Sequence, residues 1–232
     1  MKKIGLLGGT SWHSSLDYYQ LLNQKIAARV GGLHSADLVL RSVNFATFHQ
    51  LQEQGAWDEI ANAYSKDAIA MKSMGVEALV ICANTMHQVA AEVERQSQLP
   101  VLHIATALQR SVKQIKPNET ATLGVLGTEY TMTLPFYREA LAQYGVAMLV
   151  PVAEQRQRVH QIIFSELVAG VVTAESRDFY LQQIKQLAEQ GADAVVLGCT
   201  EIGMLVQQTM TDIPLIDSLQ SHVDYIVDFC LE

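Results

Sequence analysis

Two short runs of uninterrupted apolar residues, Ala78–Ile81 and 194–197, have the length and composition of strands covered on both faces. Between such runs the apolar positions change to helical spacing. Trp57, Ile60, Ala61, Tyr64 and Ala68 recur every three or four residues, and Tyr180, Ile184 and Leu187 do the same further on. Strand and helix in alternation predict βαβ units, right-handed crossovers and parallel sheets.

The pattern is written twice. Ile4-Gly5-Leu6-Leu7-Gly8-Gly9-Thr10 is matched by Leu123-Gly124-Val125-Leu126-Gly127-Thr128, and Gly75-Val76-Glu77-Ala78-Leu79-Val80-Ile81-Cys82-Ala83 by Gly191-Ala192-Asp193-Ala194-Val195-Val196-Leu197-Gly198-Cys199. A third pair is Leu99-Pro100-Val101-Leu102-His103-Ile104 with Ile213-Pro214-Leu215-Ile216-Asp217-Ser218. Three matches in one order point to internal duplication. The fold class expected is α/β, with two pseudo-symmetric lobes, each a parallel sheet flanked by helices. Residues 1–105 plus 218–232 are expected to form the first lobe, and 106–217 the second. A turn at Lys116-Pro117-Asn118-Glu119 precedes the second repeat. The helices over 106–115 and 219–229 are each expected to leave their own lobe and pack against the other. Ligands of parallel sheets sit beyond the carboxyl ends of the strands. Residues 8–11, 82–85, 128–131 and 198–201 are therefore expected around an active-site cleft between the lobes.

Composition narrows the function classes. The chain has 232 residues, 49% of them hydrophobic and 17% charged, which is the balance of a packed globule. With a net charge of -8 and no basic cluster, it lacks the means to bind a nucleic-acid backbone. No apolar stretch approaches the ~20 residues of a membrane span. The opening Met1-Lys2-Lys3 looks like the head of a signal peptide, but the apolar run after it breaks at glycines and polar residues, so a cytoplasmic location is expected. Cys82, Cys199 and Cys230 lack the spacing of a disulfide framework or a zinc site. His13, His34, His49, His160 and His222 likewise show no metal-ligand spacing, and Gly8-Gly9 is too short for a dinucleotide fingerprint.

Candidate chemistry concentrates in two segments, Cys82-Ala83-Asn84-Thr85-Met86-His87 and Gly198-Cys199-Thr200-Glu201-Ile202. A cysteine in a turn after a strand is a working thiol or buried filler, and the Gly-Cys-Thr-Glu turn favours the first for Cys199. Glu201 either orients that thiol or caps the following helix. His87 reads as a hydrogen-bonded residue at a helix start, His103 as core or cleft, and Cys230 has no evident role. A helix N-terminus lowers a thiol pKa from its usual ~8.5, which suits Cys199 to act as a base.

These segments, together with Leu7-Gly8-Gly9-Thr10-Ser11-Trp12, Thr128 with Thr131, and a helix over 159–170, resemble the aspartate/glutamate racemases, including their broad-specificity branch, from end to end. The resemblance implies a cofactor-independent enzyme in which two cysteines face each other across the substrate Cα, one as thiolate base and one as thiol acid, without pyridoxal phosphate or metal. Cys199 and Cys82 are the candidate catalytic thiols. Thr10, Ser11, Asn84, Thr85, Thr128, Thr131, Thr200 and Glu201 are the candidate substrate-binding residues. The expected partner is a small amino acid and the expected assembly a homodimer.

Two positions depart from the family. Its first cysteine stands immediately before Asn-Thr, where this chain has Ala83. The internal repeat also pairs Cys199 with Ala83. Cys82, one residue earlier, falls on the opposite face of a regular strand and reads as core unless the strand end kinks or slips. Where acidic-substrate members carry Glu-Leu-Lys, this chain reads Glu166-Leu167-Val168, so a cation is missing and Arg41, Arg156 and Arg158 are its candidate replacements. A racemase of acidic or broader amino acids, or a one-sided relative that works on one enantiomer, is the leading expectation. A single-cysteine decarboxylase or isomerase and an amino-acid-binding protein without turnover are the alternatives.

Overall fold

The first apolar run forms β1 (Ile4–Gly8), buried at every position, in a computed structural model that describes residues 1–116 and 120–232. It is followed by α1 (Trp12–Val30), β2 (Leu38–Ser42), α2 (Phe45–Glu53), α3 (Trp57–Ser73), β3 (Ala78–Ile81) and α4 (Ala90–Ser97). Then come α5 (Ile104–Ile115), β4 (Ala121–Gly127), α6 (Glu129–Thr133), α7 (Pro135–Ala142), β5 (Val146–Leu149) and α8 (Ala153–Ser165). The chain closes with α9 (Ala174–Glu189), β6 (Ala194–Gly198), α10 (Ile202–Leu205), β7 (Leu215–Asp217) and α11 (Ser218–Leu231). Both expected core strands, and both helices expected from the 57–68 and 180–187 stripes, are present. The turn expected at Lys116-Pro117-Asn118-Glu119 falls on residues 117–119, which lie outside the described residues.

The chain divides into two units, one of Met1–His103 with His222–Glu232 and one of Ile104–Ser221. The first holds a parallel sheet in the order β2-β1-β3, and the second a parallel sheet in the order β5-β4-β6-β7. In both, the strand opening the repeat lies at an inner position beside the strand of the second repeated segment. Among the described residues, no helix is long and apolar enough to cross a membrane.

In the first unit, Ile60, Ala61, Tyr64 and Ala68 of α3 pack on Leu7, Leu79 and Ile81. In the second, Tyr180, Ile184 and Leu187 of α9 pack on Leu126, Val195 and Leu197. Tyr64 precedes Gly75 by the same interval as Tyr180 precedes Gly191, so the duplication extends from strands to helices. The opposite face of the second sheet, with Leu123, Val125, Ala194 and Val196, is covered by Ile104, Ala105, Leu108 and Val112 of α5 and by Tyr137 and Leu141 of α7. Within the first unit, α11 is tied to α1 through Lys25–Asp224 at 2.7 Å and through Arg29–Asp228.

One expected helix ends earlier than the sequence predicts. The helix expected over 159–170 belongs to α8, which ends at Ser165. Glu166 leaves helical geometry (φ -122°, ψ -64°), and a 3-10 turn follows over Leu167–Ala169. Glu166 Oε2 accepts hydrogen bonds from Ser176 Oγ at 2.7 Å and Thr173 Oγ1 at 3.2 Å, so tertiary partners hold this carboxylate at the break.

A buried histidine group lies under the first sheet's loops. Tyr18 Oη donates to His222 Nδ1 at 2.7 Å, because His222 Nε2–H is committed to the Leu102 carbonyl at 2.6 Å. His87 stands against His103 and His222, with ring centroids 4.7 and 5.6 Å apart. Burial depresses all three: His103 to about 4, His222 to about 3, and His87 well below its usual value, helped by its two histidine neighbours.

Two expectations follow from this packing. Ile184→Ala, at a fully buried position, should destabilise the chain by about 2–5 kcal/mol in urea melts at neutral pH. The histidines take up protons in the unfolded chain near pH 6.5 but resist them when folded. Stability should therefore be full above that pH and fall as the pH drops through the window toward 4 and 3. The loss is about 1.4 kcal/mol per histidine for each pH unit until its folded value is reached. Melting temperatures from pH 7 to pH 4 should decline accordingly, and His222→Gln should narrow the difference between the two ends.

Candidate active site

In the first unit, the loop after β1 passes through Gly9 in a left-handed conformation (φ +97°), where a side chain would collide with the Val43 backbone. The turn is stitched by side chains: Gly9 N–H donates to Ser15 Oγ at 2.8 Å, and Ser15 Oγ donates to the Ser11 carbonyl at 3.1 Å. Thr10 Oγ1 is 3.2 Å from Tyr64 Oη. Ser11 sits at the N-cap of α1 without making a capping bond, and its buried Oγ has no hydrogen-bond partner. That hydroxyl, at the positive end of a 19-residue helix, is placed to meet an anion.

The loop after β3 lies beside this turn. Ser14 Oγ donates to the Cys82 carbonyl at 2.6 Å, and His87 Nδ1 is 3.0 Å from the Ala83 carbonyl. Asn84 and Thr85 are buried at 5% and 7% exposure. Cys82 is also buried, and burial alone pushes its thiol far above the ordinary range. Leu79, Ile81 and Ala83 share the sheet face that packs on Tyr64 and Met86, whereas Cys82 belongs to the alternate set with Ala78 and Val80.

The second unit repeats this register. Val195, Leu197 and Cys199 share the face that packs on Tyr180, while Ala194 and Val196 face α5 and α7. Cys199 thus occupies in its unit the position that Ala83 occupies in the other. Gly127 and Gly198 pair across β4 and β6, which brings the loop carrying Thr128 and Thr131 next to the Cys199 loop. Thr128 caps α6: its Oγ1 accepts from Thr131 N–H at 3.3 Å and lies 3.2 Å from Thr131 Oγ1.

Cys199 is half-buried. Its Sγ donates to Glu201 Oε2 at 2.9 Å, and Thr200 Oγ1 donates to the same oxygen at 2.6 Å. Burial and the facing Glu201 carboxylate raise the thiol well above its ordinary value, against the backbone groups of Thr200 and Glu201. This corrects the expectation of a depressed pKa. The helix after the thiol, α10, has only four residues, and a carboxylate stands at the sulfur in place of a cation.

The candidate arginines are already engaged. Arg41 pairs with Asp67 at 3.1 Å, Arg156 with Glu129 at 3.4 Å and Arg158 with Glu175 at 2.8 Å. Val168 is half-buried against the apolar cluster of the second sheet. A cavity of about 430 Å³ opens beside the Thr128–Thr131 turn, lined by Glu129, Tyr130, Gln157, His160 and Gln161. Among the described residues, no three His, Cys, Asp or Glu side chains converge as metal ligands. Tyr64 was legible in the sequence only as a helix position, and Ser14 and Ser15 were not singled out there at all. The periodicity that marks a residue as core does not reveal a hydroxyl that it hands to a neighbouring loop.

Comparison with known proteins agrees with this architecture. The chain superposes over its full length on a Yersinia pestis protein described as a candidate Asp/Glu racemase, with 41% identity, full coverage of both chains and a TM-score of 0.93. An aspartate racemase homologue from Pyrococcus horikoshii matches equally completely, at 29% identity and a TM-score of 0.84. The broad specificity amino-acid racemase RacX of Bacillus subtilis is 24% identical over 168 residues, covering 69% of this chain and 68% of RacX. A family model described as Asp/Glu/Hydantoin racemase matches residues 7–226. The chain belongs to the Asp/Glu/Hydantoin racemase family.

Proposed function

We propose that this protein is a cofactor-independent amino-acid racemase that moves the substrate Cα proton through Cys199, acting predominantly on one enantiomer. The observation that carries this reading is the shared register: the residue standing where Cys199 stands is Ala83, a methyl group with no proton to give or take. Cys199 removes or returns the proton on the face it serves. The electron pair left on Cα spreads into the α-carboxylate as an enediolate. Hydroxyl and amide donors from Thr10, Ser11, Asn84, Thr85, Thr128, Thr131 and Thr200 are the groups suited to hold that charge. The buried, unpartnered Ser11 Oγ at the start of α1 supports its place among them. Cys82 is read as a packing residue, because it is 1% exposed and lies on the other strand face.

The substrates are acidic amino acids, with uncharged ones accepted as well. The engaged state of Arg41, Arg156 and Arg158 and the apolar setting of Val168 support the wider range, as does the name of the Bacillus relative. The protein works as a homodimer in the cytoplasm, with no cofactor. A second reading, a binding protein that has lost turnover, is favoured by Ala83 alone.

Incubation with L- and D-amino acids in D₂O, followed by NMR and chiral chromatography, tests both. One enantiomer should exchange its α-proton much faster than it inverts, since a missing proton donor typically costs about 10²–10⁴-fold. Cys199→Ala should abolish exchange while thermal shift still reports binding. Ala83→Cys should raise inversion, Cys82→Ala should leave exchange unchanged, and a chelator should have no effect. Exchange surviving in Cys199→Ala overturns the mechanism, and binding without exchange in the wild type favours the second reading.

A further inference from the structure

We infer that Glu201 is the positioning residue for Cys199: its carboxylate keeps the sulfur protonated at rest and receives that proton when the sulfur acts as a base. This rests on the reading of Cys199 as the proton-transferring group, and it assigns Glu201 to the thiol in place of the substrate.

The geometry of the loop supports the assignment. Gly198 ends β6 pressed against β4, where a Cβ would lie 2.9 Å from the Leu126 carbonyl, and in the turn that follows Glu201 reaches back to Cys199. Glu201 stands at the N-cap of α10 but makes no capping bond, which removes helix capping as the reason for its orientation. Its Oε2 accepts both the thiol and the Thr200 hydroxyl. Its Oε1 is buried without a partner, in a side chain only 6% exposed. The charge of a Cys199 thiolate is felt in turn at Tyr180 of α9. Its hydroxyl donates to the Val159 carbonyl at 3.0 Å, and burial keeps it protonated.

The pair therefore carries one transferable proton. In the resting state it lies on sulfur, ready for delivery to a carbanion. In the other direction the proton passes from Sγ to Oε2 and the S–H electron pair remains on sulfur. The thiolate then takes the Cα proton, and the Cα–H pair enters the substrate carboxylate. Glu201 ends protonated, Cys199 is again a thiol, and the substrate is an enediolate. Reversal restores every proton.

Alkylation of the full-length protein by iodoacetamide across pH, with mass spectrometry to quantify modification at Cys199, tests the pairing without any amino acid present. Cys82 and Cys230, each 1% exposed, are protected. In Glu201→Gln the midpoint should fall by about one pH unit or more, as expected for removal of a neighbouring like charge. The rate at neutral pH should rise about threefold, because the less basic thiolate is a weaker nucleophile. Thr200→Val leaves the carboxylate with the thiol as its one remaining donor and should move the midpoint up, so the test survives if the glutamine variant does not fold. A midpoint unchanged in folded Glu201→Gln, or unmoved or lowered in Thr200→Val, overturns the inference. Failure of the racemase reading would appear separately, as absence of α-proton exchange in the wild type.

Discussion

The alternation of side chains along a strand is the constraint from which the site follows. Once Leu79 and Ile81 are committed to the face packed on α3, the next residue of that face is Ala83. Once Val195 and Leu197 are committed to the face packed on α9, the next is Cys199. Slipping β3 by one residue to bring Cys82 onto this face would carry Leu79 and Ile81 out of their cluster and set Ala78 and Val80 in their place. Packing of several buried side chains thus opposes a rearrangement that a single thiol would favour. The core decides which residue each unit offers, and one unit offers a methyl group.

The environment of the Cys199 sulfur is set by two effects that act in the same direction. Removal from water disfavours the thiolate, and a carboxylate 2.9 Å away disfavours it again. A long helix aimed at the sulfur would oppose both through its dipole, but α10 is a single turn. The consequence is a thiol held in its protonated form. Ser11, by contrast, stands at the start of a full-length helix with an unused hydroxyl. In the proposed mechanism, proton transfer and anion binding would draw on these different local devices.

Charge recognition is less developed than the family resemblance suggests. Each arginine that was a candidate to replace the missing lysine already has a carboxylate partner. Releasing any of them for a substrate would forfeit that pairing. Val168 adds apolar surface where the family resemblance leads one to expect a cation, and this is the ground for the wider substrate range proposed above.

Much of this was legible in the sequence because it depends on local periodicity. The apolar runs at β3 and β6, the helical stripes of α3 and α9 and the repeated glycine turns each need only neighbours in the chain to be recognised. The internal repeat, counted from Gly75 and Gly191, already pairs Ala83 with Cys199. What tertiary structure decided depends on groups distant in sequence or on how a turn closes. The end of α8 at Glu166 is held by Thr173 and Ser176, and Thr10 meets Tyr64 across more than fifty residues. The three histidines become one buried group only when α11 joins the first unit. The protonation of Cys199 also waited on the fold: the sequence shows a cysteine before a helix, but only the closed turn shows that the helix is one turn long and that Glu201 points back at the sulfur. Periodicity fixes which face a side chain takes, whereas its charge state depends on what the folded chain brings within a few ångströms.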